Sequence, residues 1–430
     1  MTTSIRPLLV VLLVALSHAH AFNVDPNDDV TEAGDILQFA LPITAGVATL
    51  FEEDWEGSRQ FAYSFGSAAL INTAAKGVIG KLRPNESNTY SYPSGHSMAA
   101  FSGAGFLNQR YGPWVGIPAL GAAGFVGYSR VQSDNHFADD VIAGASIGLM
   151  ANWVFVTPYE KNGVQLMPAM INNEAPGIMM TMPTEKPLRP WGAAGPEDID
   201  TRSPRDYRFS YIWDFGPVWN TRNDARTPRN DQNIDLTQFD SFSSETMASR
   251  LFLIWQISPR HYVAFEWAPY EARNKEAITT PLTFQNTAFA GSVRYAYRLY
   301  EYRFKYAYNW IEEPSAWLRT GVAASYIYNS LELVDDLGDY GRNRTETVLP
   351  QLCASAGWWF VTDWALFAEG SWGRLSGERA QDFTAGIAWQ IDPQWVFSGG
   401  YRYYDRLVEE DDWYNHLTQQ QPFLSLAYSW

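Results

Sequence analysis

Phe383-Thr-Ala-Gly-Ile-Ala-Trp-Gln-Ile391, then Asp392-Pro-Gln394, then Trp395-Val-Phe-Ser-Gly-Gly-Tyr-Arg-Tyr403 is one continuous passage with a period of two. Phe383, Ala385, Ile387, Trp389 and Ile391 share one side, and Trp395, Phe397, Gly399, Tyr401 and Tyr403 repeat it after the turn. Thr384, Gly386, Gln390, Ser398 and Arg402 fall on the other side. Successive side chains of a strand point to opposite faces, so the passage is a β-hairpin with one apolar face and one small or polar face. Phe209, Tyr211, Trp213 and Phe215 alternate in the same way, and so do Leu424, Leu426, Tyr428 and Trp430. Strand grammar therefore runs from about residue 206 to residue 430.

Two all-β architectures compete for this region. A soluble sandwich needs a wet polar face on every strand, whereas a transmembrane barrel turns its apolar face to lipid and carries aromatic girdles at both interfaces. Tryptophan favours the barrel. Of 18 tryptophans only Trp55, Trp114, Trp153 and Trp191 precede residue 206. Short turns such as Thr362-Asp363 alternate with acidic loops such as Asp335–Asp339 and Glu409–Asp412. An alternating last strand ending on Trp430 resembles the C-terminal signature of bacterial outer-membrane barrels. About eleven strand-like segments, with the even counts of single-chain barrels, predict ten or twelve strands.

Upstream the period changes. Residues 35–156 are rich in Ala, Gly and aliphatics and predict helices over 35–51, 57–80, 97–110, 114–128 and 137–156. The fold class expected is α + β in two domains, a helical bundle over 22–160 and an antiparallel transmembrane β-barrel over 206–430. Residues 161–205 between them are Pro-rich and read as a linker or small hairpin. Residues 1–21 combine Arg6, an apolar run from Leu8 to Leu16 and Ala19-His-Ala21, the pattern of a secretory signal peptide. Export would permit disulfides, yet Cys353 is the only cysteine, and its apolar strand-like surroundings make it a packing residue. A net charge of −16 opposes any general contact with nucleic acid, so phosphate chemistry needs a local basic pocket.

Three clusters supply that pocket: Lys76-x6-Arg83-Pro84, Pro93-Ser94-Gly95-His96, and Ser129-Arg130-x5-His136-x3-Asp140. Arg83 and Arg130 can fork N–H groups onto phosphate oxygens, and Lys76 adds a point charge. Ser94 and Gly95 precede a helix-like run, where backbone N–H groups of a helix N-terminus face an anion and Gly95 admits a close approach. His136 and Asp140, four residues apart, are expected on one face of a helix, with Asp140 orienting one ring nitrogen. His136 is the candidate nucleophile and His96 the general acid and then base. Lys81 is expected to be solvated, and Asp139 is assigned no catalytic role.

In this order the clusters resemble the three-part signature of the type 2 phosphatidic acid phosphatase superfamily, which includes nonspecific acid phosphatases and vanadium haloperoxidases. The resemblance covers roughly residues 35–156 and fills every signature position. It implies that Lys76, Arg83, Ser94, Gly95 and Arg130 bind phosphate, that His136 forms a phosphohistidine oriented by Asp140, and that His96 is the acid/base. It implies no metal and no cofactor. Only eight residues separate Pro84 from Pro93, which points to a periplasmic domain rather than a polytopic one. The expected activity is metal-independent hydrolysis of phosphomonoesters of membrane lipids, either phosphatidic acid or a lipid A precursor, by a domain tethered to the outer membrane. Alternatives are a periplasmic nonspecific acid phosphatase, an undecaprenyl-diphosphate phosphatase, and a porin-like barrel with a vestigial phosphatase domain.

Overall fold

The computed structural model describes residues 26–159, 165–171, 175–181, 209–227, 233–238, 246–258, 260–313, 315–410 and 413–430. The expected signal peptide and most of the expected linker lie outside the described residues. The chain divides into two compact units, Met1–Gly192 and Ala193–Trp430.

Among the described residues, five helices build the first unit: α1 (Pro26–Phe51), α2 (Trp55–Ile79), α3 (Gly95–Tyr111), α4 (Pro113–Gln132) and α5 (Ala138–Phe155). α1 begins nine residues before the apolar periodicity does, with the acidic Asp29 in its first turns, where the positive end of the helix dipole favours a carboxylate. α5 is central, and nearly every residue from Ala138 to Asn152 is buried. Its small residues let backbones touch: a Cβ on Gly144 would lie 2.2 Å from the carbonyl oxygen of Ser94. That approach is secured by the Ser94 N–H, which donates to the Asp140 carbonyl at 2.9 Å. At the other end of α3, Arg110 forks onto Asp54 at 2.6 and 2.7 Å, while Asp54 accepts from the Gly57 N–H and so caps α2. An apolar core of Leu37, Leu41, Ala100, Phe106, Leu107 and Val126 joins α1, α3 and α4. An antiparallel hairpin, β1 (Gln165–Ile171) with β2 (Ala175–Thr181), follows.

The second unit is a closed barrel. Its strands are β3 (Phe209–Arg226), β5 (Thr246–Ser258), β6 (His261–Phe284), β7 (Thr287–Glu313), β8 (Ala316–Asp335), β9 (Tyr340–Val361), β10 (Trp364–Leu375), β11 (Glu378–Gln390), β12 (Trp395–Glu410) and β13 (Trp413–Ser429), with the two-residue β4 (Ile234–Asp235) appended to β3. Each is antiparallel to its sequence neighbour, and β13 pairs with β3 to close ten strands. Reciprocal bonds between Phe209 and Trp430, at 3.3 and 3.0 Å, finish the seam. Gln285 and Asn286 turn β6 into β7 with φ of 53° and 63°, as a two-residue hairpin matched to strand twist requires.

The alternation read in the sequence is realised around the barrel. Phe383, Ile387 and Trp389 point outward and Asp382 inward, and Tyr401 is exposed while Arg402 is buried. Exposed Trp310, Trp358, Trp364, Trp389 and Trp430 all sit at the end holding residues 209 and 430, and Phe304, Val322, Leu352 and Leu366 form an apolar outer band beside them. Inside, Arg303 meets Glu266 at 2.8 Å, Glu301 at 2.9 Å and Asp382 at 3.2 Å, and Arg402 joins Asp382 at 2.8 Å.

Candidate active site

The three sequence clusters converge at one end of the helical unit. Lys76 lies in the last turn of α2, and its ammonium donates to the Tyr90 carbonyl at 2.7 Å. Burial, with repulsion from Arg83, pulls its pKa down to about 8 against the attraction of Asp140. Arg83 stands in the connection between α2 and α3, which folds back through Arg83 N–H to the Asn88 carbonyl at 2.9 Å. Its Nε is buried without a partner. Burial lowers its pKa, with a smaller contribution from the nearby Arg130, against the attraction of Asp140.

Ser94 is the N-cap of α3. Its hydroxyl accepts from the Ser97 N–H at 3.3 Å and the Ser97 hydroxyl at 3.1 Å, and the side chain is fully buried. Ser94 thus contributes to an anion site through the helix N-terminus it caps, with Gly95 and His96 as the first helical residues. A Cβ on Gly95 would meet only ordinary contacts, the nearest being Asn72 at 3.6 Å and Lys76 at 3.8 Å. No protein backbone requires glycine there; the space it leaves is next to Lys76.

α4 runs to Gln132, further than its apolar pattern, and so carries Arg130 in its last turn. Arg130 is buried. Its Nη1 donates to Asp35 Oδ1 at 2.6 Å, its Nη2 to the Thr31 carbonyl at 2.8 Å and its Nε to Ser129 Oγ at 3.1 Å. His96 Nε2 lies 3.2 Å from the same Asp35 oxygen. Burial and Arg130 push the His96 imidazole down to about 4 despite Asp35, so the ring is neutral at neutral pH.

The expectation for His136 and Asp140 needs correction. They do not share a helix face: α5 begins at Ala138, Phe137 is its N-cap residue, and His136 belongs to the turn before it. Asp140 is in the first helical turn and reaches back, accepting from the Phe137 N–H at 2.8 Å. His136 Nδ1 is 3.6 Å from the same carboxylate oxygen, beyond direct hydrogen bonding. The turn is fixed by the His136 N–H donating to the Arg130 carbonyl at 3.1 Å. Burial holds the His136 pKa below its ordinary value although Asp140 opposes this, leaving a neutral imidazole. The His96 and His136 rings stand 6.4 Å apart between centroids, with the cations around them.

Lys81 is a second correction. Rather than solvated, it is buried with its ammonium 2.6 Å from Asp139 and 3.0 Å from Asp140, beneath the Phe137 ring at 4.6 Å. Burial alone would lower its pKa, but the two carboxylates outweigh it and raise the value. Asp140 also accepts from the Ser91 hydroxyl at 2.5 Å. Burial would raise its pKa, and Lys81, His136 and Ser91 together hold it well below the carboxylate range. Asp35, Lys81 and Ser91 are the residues the motif reading missed. The closeness of Lys81 to the Arg83 motif was the one available signal for it; nothing local distinguished Asp35 or Ser91.

A sequence profile described as the PAP2 superfamily matches residues 58–163, which contain every cluster. The lipid A 4'-phosphatase of Helicobacter pylori is 31% identical over 148 residues, 32% of this chain and 74% of that enzyme. The lipid A 1-phosphatase of Porphyromonas gingivalis is 39% identical over 84 residues, and the match spans only 19% of each chain. Among solved structures, Aquifex aeolicus LpxE aligns over 34% of this chain and 93% of its own, with 20% identity and a TM-score of 0.26. The Escherichia coli outer membrane protease OmpT aligns over 52% and 97%, with 7% identity and a TM-score of 0.37.

Proposed function

The chain belongs to the PAP2 superfamily, and from that premise we propose that it hydrolyses phosphomonoesters of membrane lipids through a phosphohistidine on His136. One observation carries the proposal: the buried, unpartnered Arg83 Nε lies in a pocket where Lys76, Arg130 and the α3 N-terminus surround the gap between two neutral histidines. Such a pocket has its electrostatic stabilisation set before substrate arrives.

In the proposed reaction the phosphoryl oxygens sit among Lys76, Arg83, Arg130 and the first N–H groups of α3. With Nδ1 of His136 facing Asp140, Nε2 attacks phosphorus as the P–O bond to the lipid alcohol breaks. The bound phosphate dianion raises the proton affinity of His96, which takes up a proton from solvent as substrate binds and passes it to the leaving oxygen, becoming neutral again. His96 then takes a proton from water, whose oxygen attacks phosphorus and breaks the P–N bond. Phosphate leaves, His96 releases its proton to solvent as the anion departs, and both imidazoles are neutral again. Asp140 stabilises the positive charge that His136 carries in the intermediate, and Lys81 keeps Asp140 ionised.

A lipid substrate is favoured by the surface of the helical unit. Phe39, Ile43 and Leu50 on α1, Leu70 and Val78 on α2, and Trp114 and Ile117 on α4 are exposed. Apolar stripes of this kind on a helical surface suit a bilayer interface. The relatives named as lipid A phosphatases and the phosphatidylglycerophosphatase B of Bacillus subtilis, 30% identical over 130 residues, support the same class. For the barrel, the tryptophan girdle and apolar outer band support insertion in the outer membrane.

Phosphate release from phosphatidic acid, a lipid A precursor, undecaprenyl diphosphate and a soluble aryl phosphate tests the reading, with His136→Ala as control. We expect lipid monoesters to be turned over fastest and the variant to lose at least a thousandfold. Equal rates for wild type and variant on every ester would remove His136 from the chemistry, and preference for the aryl ester would favour a nonspecific acid phosphatase.

A further inference from the structure

We infer that Asp35 is a built-in competitor for the phosphate pocket, seated on Arg130 and His96 in the free enzyme and displaced by the substrate phosphoryl group. This rests on reading the pocket as the phosphatase site. The Asp35 carboxylate oxygen takes Arg130 Nη1 at 2.6 Å and stands 3.2 Å from His96 Nε2. An oxygen of a bound phosphate would occupy the same position, between one guanidinium nitrogen and the acid/base imidazole. Every Arg130 nitrogen already has a protein acceptor, two of them supplied by α1 through Asp35 and Thr31.

The arrangement is built into the packing. α1 comes so close to the last turn of α4 that a Cβ on Gly34 would lie 2.0 Å from Ser129 Oγ and 2.7 Å from Arg130 Nη2. Only glycine at position 34 lets the neighbouring Asp35 reach that far. The two groups differ sharply in exposure. Arg130 is buried, with its side chain 3% exposed, whereas the Asp35 side chain is 48% exposed and can swing into solvent when an anion arrives. Arg83 retains its unpartnered Nε for the incoming group.

The consequence is selectivity. Displacing a carboxylate from a guanidinium weakens the binding of every phosphate alike, and a substrate with an apolar body can recover the loss through contacts away from phosphorus. Free phosphate cannot. Asp35 therefore keeps small phosphoesters and released product largely unbound at concentrations where the lipid, with its extra contacts, still binds, and it returns to Arg130 as phosphate leaves.

The test uses the full chain, with Asp35→Asn and Asp35→Ala beside wild type. Calorimetric titration with inorganic phosphate reads the competition directly, and kcat and KM are measured separately on phosphatidic acid and on an aryl phosphate. Both variants should bind phosphate at least tenfold tighter, with KM for the aryl ester and for the lipid both falling by a similar factor, and product inhibition appearing at lower phosphate concentration. Phosphate affinity that is unchanged or weaker in both variants overturns the inference and leaves Asp35 as a positioning partner of His96. Catalysis by wild type on no ester, with tighter phosphate binding by the variants, would instead sink the proposed function while the competition stands.

Discussion

Lys81 shows how much the site depends on one buried charge. Its ammonium neutralises Asp139 and Asp140 together, and both carboxylates are almost fully buried. Removing one partner of a buried pair leaves an uncompensated charge, at a cost of about 3–5 kcal/mol. Lys81→Met should therefore destabilise the helical unit by that order, read by denaturant unfolding, and should also abolish turnover because Asp140 would take up a proton. Lys81→Arg keeps the charge and should recover part of the stability. A Lys81→Met protein as stable as wild type would show that the pair is structurally idle. Lys76 makes a separate prediction about pH. With its pKa lowered to about 8, it is cationic below that value and loses its charge above it, so kcat/KM should fall on the alkaline side with a midpoint near 8. Lys76→Arg, which does not titrate there, should move that limb upward by more than one pH unit. An unshifted limb would assign the titration to another group.

At the scale of elements, the site is three helix termini facing one another: the end of α2, the start of α3 and the end of α4, closed by the turn into α5. Ser94 sets the start of α3, and loss of such a cap costs about 1 kcal/mol. Ser94→Ala should reduce stability by that amount in equilibrium unfolding and weaken phosphate binding several-fold, since the freed N–H groups lose their alignment. A large stability loss with unchanged phosphate affinity would separate the cap from the site. The helices themselves were legible because Ala, Gly and aliphatic spacing marks a buried face, and the barrel strands were legible because a period of two is hard to mistake over ten residues. Their ends were less so. His136 and Asp140 have helical spacing, yet the chain uses Asp140 as a backward-reaching cap, and only the geometry of the turn distinguishes these cases. Lys81 and Asp139 are 58 residues apart, and Asp35 and Arg130 are 95 apart. Pairings across such distances leave no local pattern, so a lysine just beyond a helix end reads as solvated.

The barrel's interior decides what the second unit can do. In the half away from residues 209 and 430, Phe284, Phe289, Tyr295, Tyr297, Leu333 and Trp413 pack into one buried cluster inside the strands. Midway, Arg303 and Arg402 are locked to Glu266, Glu301 and Asp382. Toward the other end a cavity of about 280 Å³ remains, lined by Ile212, Tyr262, Trp317 and Arg319 among others. A porin lumen is polar and water-filled along its whole length, and this one is filled by apolar side chains and then by ion pairs. The barrel is therefore expected to be an anchor and not a conduit. Purified protein reconstituted in a planar bilayer should give no step conductance at physiological salt, while still showing the heat-modifiable gel migration of a closed barrel. Opening the ion-pair layer alone, by Arg303→Ala, should leave the bilayer silent because the apolar layer beyond it is intact; removing Phe284 and Phe289 as well should produce leak. Stable porin-sized steps from the wild-type chain would mean that the interior rearranges in a membrane, and the porin-like alternative would then have to be reopened.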